Sequence, residues 1–206
     1  METLIKRFLQ RFTAQEADTP VIIVSGLPRS GTSMMMKILE GGGLPVLTDN
    51  IRTADGDNPK GYYEFERVKK LPKGDIAWLA EARGKVVKVL AILLFKLPEG
   101  YNYRVVFMRR AMPEILASQR KMLINRGEDP DRISDEELAV LFERYYQQAK
   151  SWMEQQPHVE SIEIDYNLLL QDPQPQIEAI NRFFDKKLDV NAMLKVVDPQ
   201  LYRQRR

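Results

Sequence analysis

The run Val21–Val24 is apolar and β-branched at every position. A short, unbroken apolar run of this kind predicts a strand buried on both faces of a parallel sheet. A glycine-framed turn follows, and Thr32 and Ser33 then lead into Met34–Glu40, which predicts a helix that stops at Gly41-Gly42-Gly43. Further strands are predicted over Lys85–Leu90, Tyr103–Met108 and Val159–Ile164. Short helices are expected over Glu64–Leu71 and Asp75–Ala82, and a longer one over Pro113–Asn125 with proline in its first turn. Ser134-Asp135-Glu136-Glu137 has the form of a capping box and opens a helix running to about Gln155. Leu138, Leu141, Phe142, Tyr145, Ala149 and Trp152 share one face of it. Pro175–Phe184 and Asn191–Val196 complete the set. Strands alternating with helices predict an α/β fold with a mostly parallel central sheet flanked by helices.

No repeat or low-complexity stretch divides the chain, so residues 1–206 are expected to form a single domain. Residues 44–62, rich in Asp, Asn, Gly and Pro, form a long irregular segment expected to serve the substrate. In residues 1–13, Leu4, Ile5, Phe8, Leu9 and Phe12 fall at helical spacing, with Lys6, Arg7 and Arg11 elsewhere. This amphipathic helix fits a membrane surface, but docking on the domain or on a second subunit is expected. The second case would make a homodimer. Residues 198–206 form a basic tail, expected to be solvated.

Composition narrows the chemistry. Hydrophobic residues make up 44% and charged residues 29% of 206, ordinary values for a globular protein. A net charge of +2 is too mild to imply nucleic acid as a partner. The absence of cysteine excludes disulfides and thiolate chemistry, and a single histidine excludes a multi-histidine metal site. No stretch approaches the roughly 18 apolar residues of a membrane span. No signal peptide is recognisable, and a cytoplasmic location is expected.

The turn after the first strand carries the most chemical information. Gly26-Leu27-Pro28-Arg29-Ser30-Gly31-Thr32-Ser33 has the G-x-x-x-x-G-x-[ST] frame of a phosphate-binding loop, a P-loop. Its glycines allow consecutive N–H groups to converge on an anion, at the positive end of the following helix. The lysine of an ATP-binding loop is replaced by Thr32, while Arg29 stands inside the loop. A guanidinium grips phosphoryl or sulfuryl oxygens in a fork and stays charged at any working pH. A donor less charged than a triphosphate has less need of magnesium.

Pro28-Arg29-Ser30-Gly31-Thr32-Ser33 resembles the P-[KR]-S-G-T-[TS] loop of sulfotransferases that use 3′-phosphoadenosine-5′-phosphosulfate (PAPS). The resemblance implies a three-layer P-loop fold, PAPS as donor and its bisphosphate (PAP) as product, with no metal required. It implies that Arg29 contacts the donor's bridging oxygen and that Thr32 and Ser33 hold the 5′-phosphate. After the third strand, Arg110, Glu114 and Ser118 resemble the family's R-x-x-x-[DE]-x-x-x-S site for the 3′-phosphate. Pro113 lies one place later than usual, which leaves Arg109 and Arg110 both open for that contact. The segment Ile162–Pro173 is similar to the family's strand–Tyr–loop–D-P stretch and makes Tyr166 an adenine-side candidate. Met34 stands where the family often has a stacking aromatic. Core packing is an even alternative for both Tyr166 and Met34.

Sulfuryl transfer requires aligned partners, a stabilised leaving oxygen and a proton acceptor. Arg29 is the candidate for the leaving oxygen, and the resemblance assigns Lys88 as its helper. The catalytic histidine of the family's cytosolic small-molecule branch is absent, because Lys88-Val89-Leu90 stands in that region, and other branches use glutamate. His158 is expected at the surface. Glu64 is the first choice of base, with Glu66 and Asp57 behind it. Tyr62, Tyr63 and Trp78 are expected near an acceptor that is a small molecule, sugar, lipid or peptide. A P-loop small-molecule kinase or NTPase and a non-catalytic nucleotide-binding protein are the competing readings.

Overall fold

A computed structural model describes residues 18–49 and 63–197. The predicted helix over 1–13, residues 50–62 of the long loop and the tail over 198–206 lie outside the described residues.

Four strands form one sheet: β1 (Val21–Gly26), β2 (Val86–Lys88), β3 (Tyr103–Arg109) and β4 (Val159–Asp165). Their order is β2-β1-β3-β4, and every pairing is parallel. The sequence therefore reads correctly as α/β. All six residues of β1 are buried, as expected for a central strand covered on both faces.

Alternation along the strands separates two cores. Ile23, Val105 and Phe107 face one side, and Ile22, Val24, Val106 and Met108 face the other. Helix α1 (Thr32–Gly41) lies on the second side with α5 (Tyr166–Gln171), α6 (Pro173–Phe183) and α7 (Val190–Val196). The first side is covered by α2 (Ala91–Leu94), by α4 (Asp135–Gln155) through Phe142, Ala149 and Met153, and by Ile115 of α3 (Met112–Asn125). Ser134 caps α4 as the sequence predicts, with reciprocal bonds between Ser134 and Glu137.

Several local expectations change. The helices expected over Glu64–Leu71 and Asp75–Ala82 are 3-10 segments, Glu66–Lys73 and Ala77–Leu79. Pro72 sits inside the first and withholds one backbone donor, and Gly74 ends it. Trp78 is 1% exposed and donates its indole N–H to the Asp75 carbonyl, so it belongs to the core rather than to an acceptor site. His158 is half-buried with its ring 5.8 Å from that of Tyr103, not a free surface residue. It lies where β3 and β4 begin, at the end of the sheet opposite the loop. The helix expected from Pro175 begins at Pro173, and α5 precedes it as a separate turn. Among the described residues no helix is long and apolar enough to cross a membrane.

Leu39 is fully buried between α1 and the second face of the sheet. Leu39→Ala is expected to lower unfolding free energy by about 2–5 kcal/mol, measured by urea denaturation.

Candidate functional site

β1 and β3 pair with Gly26 opposite Met108. The loop after β1 and the turn after β3 therefore leave the sheet at the same level, at the carboxyl ends of the strands, where open parallel sheets bind ligands. The loop geometry matches its sequence. Gly26 has φ 148° and Gly31 φ 98°, both in a region that side chains rarely adopt. A Cβ at Gly26 would lie 2.7 Å from the Met108 carbonyl, and one at Gly31 would overlap the Tyr166 ring. Arg29 itself takes φ 67°, a left-handed conformation that costs a non-glycine residue about 1–2 kcal/mol. Alternating backbone angles of this kind form concavities lined by N–H groups.

Side chains converge on that turn from other elements. Arg29 donates through Nε to the Ser118 hydroxyl at 3.0 Å. Arg110 donates through Nη1 to the Arg29 carbonyl at 3.0 Å and through Nε to Glu114 Oε2 at 2.9 Å. The guanidinium of Arg110 lies over the Tyr166 ring, 4.4 Å from its centroid. The Arg110 and Glu114 side chains are only 7% and 5% exposed. Arg109 points elsewhere. Its side chain is 59% exposed, and Nη1 is 3.6 Å from Glu163. Arg110 is thus the strand-end arginine that reaches the loop.

The loop residues themselves divide by burial. Thr32 and Ser30 are buried, while Pro28, Arg29, Gly31 and Ser33 are half-buried. Ser30 Oγ is buried with no hydrogen-bond partner among the described residues, so the loop holds an orphaned polar atom that an anion-binding role would explain. Met34 is half-buried and packs against the second core. Tyr166, 5% exposed, also belongs to that core and forms the platform beneath Arg110.

A second cluster forms along the edge of β2. The segment after α1 pairs with that edge: Val86 N–H donates to the Pro45 carbonyl, and Leu47 N–H donates to the Val86 carbonyl, both at 2.8 Å. Thr48 Oγ1 then donates to the Glu64 carbonyl at 2.9 Å, and Asp49 accepts from Glu66 N–H at 2.6 Å. These bonds bring Thr48 and Asp49 against Glu64 and Glu66 and set Glu64 beside the last residue of β2. Glu64 Oε1 is 3.9 Å from Lys88 Nζ, and Oε2 is 3.4 Å from Lys69 Nζ. Lys88 faces Val24 of β1, two residues before the loop's first glycine. Glu66 is more open, at 42% exposure, and pairs with Lys69 at 2.6 Å. Asp57 and Tyr62 lie outside the described residues. Tyr63 donates to Glu40 at the end of α1, and burial together with that carboxylate raises its hydroxyl pKa above the usual range.

Asn167, a residue that sequence reasoning passes over, joins the first cluster. Its Nδ2 donates to Glu114 Oε1 at 2.7 Å. Asp165, the last residue of β4, caps α5 by accepting from Asn167 N–H at 2.9 Å and Leu168 N–H at 3.0 Å. Position after a strand-end tyrosine was the available signal. What it lacked was the pairing of Arg109 with Asp165, which sets the two turns side by side.

A family model described as Sulfotransferase domain matches residues 18–203. Among solved structures, the chain is similar to the sulfotransferase domain from the curacin biosynthetic pathway, with 14% identity and a TM-score of 0.50. That match covers 81% of this chain and 74% of the other. It is also similar to the sulfotransferase STF9 from Mycobacterium avium, with 12% identity and a TM-score of 0.53, covering 92% of this chain and 70% of the other. At these identities the two likenesses concern the fold. No curated protein matches the chain significantly.

Removing one member of a buried ion pair leaves the other charge uncompensated. Glu114→Ala is expected to cost about 3–5 kcal/mol of unfolding free energy, measured by chemical denaturation.

Proposed function

The chain belongs to the sulfotransferase domain family, and from that premise we propose that it moves a sulfuryl group from PAPS to an acceptor hydroxyl or amine. The observation that carries this reading is the convergence of Arg29, Arg110 and Ser118 on one glycine-framed loop. Two cationic side chains and a hydroxyl meet where backbone N–H groups and the start of α1 favour an anion. The orphaned Ser30 hydroxyl and the crowding at both glycines fit a loop shaped around a bound group.

Each residue then has a task. Pro28–Ser33 hold the 5′-phosphate side, with Thr32 and Ser33 supplying hydroxyls. Arg110 and Ser118 hold the 3′-phosphate, and Tyr166 lines the adenosine side. When bound, the donor supplies an activated sulfuryl group on a phosphate leaving group. Arg29 sets positive charge where negative charge develops on the leaving oxygen. Glu64 accepts the acceptor's proton at a carboxylate oxygen, and Lys88, whose side chain is 8% exposed, lies beside it. Thr32 in place of the loop lysine disfavours an ATP-dependent kinase.

Thermal unfolding with PAP and, separately, with ATP and magnesium tests the donor. PAP at about a hundred times its dissociation constant is expected to add roughly 2.7 kcal/mol of stability. Stabilisation by ATP–magnesium alone would refute the reading. Glu64→Gln is expected to abolish sulfuryl transfer while PAP stabilisation persists, and wild-type turnover in that variant would remove Glu64 from the role.

A further inference from the structure

We infer that Asn167 is a positioning residue for the nucleotide's 3′-phosphate, acting through Glu114 on Arg110. The inference rests on the PAPS reading and adds to it a residue from a different strand end.

A buried arginine is useful to a ligand only if its donors are aimed. Arg110 has five N–H donors. One, on Nε, goes to Glu114 and another, on Nη1, to the Arg29 carbonyl. Among the described residues the others are open to an anion, and their direction follows from where Glu114 holds the guanidinium. Glu114 is itself 4% exposed, so each of its oxygens needs a partner. Oε2 takes Arg110 at 2.9 Å and Oε1 takes Asn167 at 2.7 Å. Without Asn167 one oxygen loses this donor, and the carboxylate can turn toward another or draw Arg110 into a two-pronged pair. Either movement takes guanidinium donors away from the ligand.

Asn167 is well anchored for this task. Its N–H is capped by Asp165, and Tyr166 between them supports the Arg110 guanidinium at 4.4 Å. Three consecutive residues at the end of β4, Asp165, Tyr166 and Asn167, thus serve as cap, platform and anchor. Glu114 sits in the first turn of α3, so the contact ties the β3–α3 and β4–α5 connections into one frame. A purely structural role for Asn167 would affect folding and all nucleotides alike. A positioning role affects only ligands that carry a 3′-phosphate.

Full-length Asn167→Leu, which keeps the branched shape and removes the donor to Glu114 along with the acceptor of Ala111 N–H, provides the test. Dissociation constants for PAP and for adenosine 5′-phosphate are measured by calorimetry for wild type and variant. Wild type is expected to prefer PAP. Asn167→Leu is expected to weaken PAP about tenfold, the effect of one hydrogen bond to a charged group, and to leave adenosine 5′-phosphate unchanged. In an Arg110→Ala background the same substitution is expected to change neither constant. If wild type prefers PAP and the variant keeps that preference, or weakens both ligands equally, the inference is overturned and the donor reading stands. If wild type binds both ligands equally, the donor reading fails and the inference falls with it. Should Asn167→Leu not fold, Asn167→Ser removes the same donor with less change in shape and is read by the same criteria.

Discussion

The register of β1 against β3 is the constraint on which the candidate site depends. With Gly26 opposite Met108, the phosphate-type loop and the strand-end arginines emerge together. A slip of one residue would turn the alternating side chains of β3 to the wrong faces. Phe107 and Met108 would exchange cores, and the side chains around Arg110 would move with them. Both strands are buried on both faces, so apolar packing specifies the register strongly. Positioning of the charged groups is therefore a by-product of hydrophobic burial several residues away.

Around that register the protein maintains a costly arrangement. A nearly buried arginine–glutamate pair gains little stability over an apolar pair of similar size, because both ions lose their hydration. Arg29 holds a left-handed backbone, and Ser30 keeps a buried hydroxyl without a partner among the described residues. Strain and unmet polar groups that gather in one turn suit a site shaped for a ligand rather than for stability. The second cluster, Glu64 with Lys69 and Lys88, is built differently. It depends on Thr48 and Asp49 bonding the backbone of Glu64 and Glu66 beside β2.

Much of this was legible in the sequence. The four strands, the helix after the glycine loop, the Ser134 capping box and the α/β class follow from local pattern. What was misread was also physical. Trp78 looks like a site aromatic in a segment of mixed polarity, yet its indole N–H finds the Asp75 carbonyl and the ring sinks into the core. The segment from Glu66 looks helical by spacing, but a proline and a glycine hold it to short 3-10 turns. His158 looked isolated in sequence, and pairing of β3 with β4 puts it against Tyr103.

The sequence by itself determined the strand–loop–helix unit. Its causes are local: β-branched residues, glycines tolerant of positive φ, and the field at a helix start. It also determined that Arg29, not a lysine at position 32, carries the loop's charge. Only the tertiary structure decided which of Arg109 and Arg110 turns inward, that Asn167 completes the Glu114 carboxylate, and that Glu64 meets Lys88. Those contacts join residues 24 to 81 positions apart, through strand register and loop packing. No short-range pattern encodes such distances, because they are set by the summed packing of both faces of the sheet.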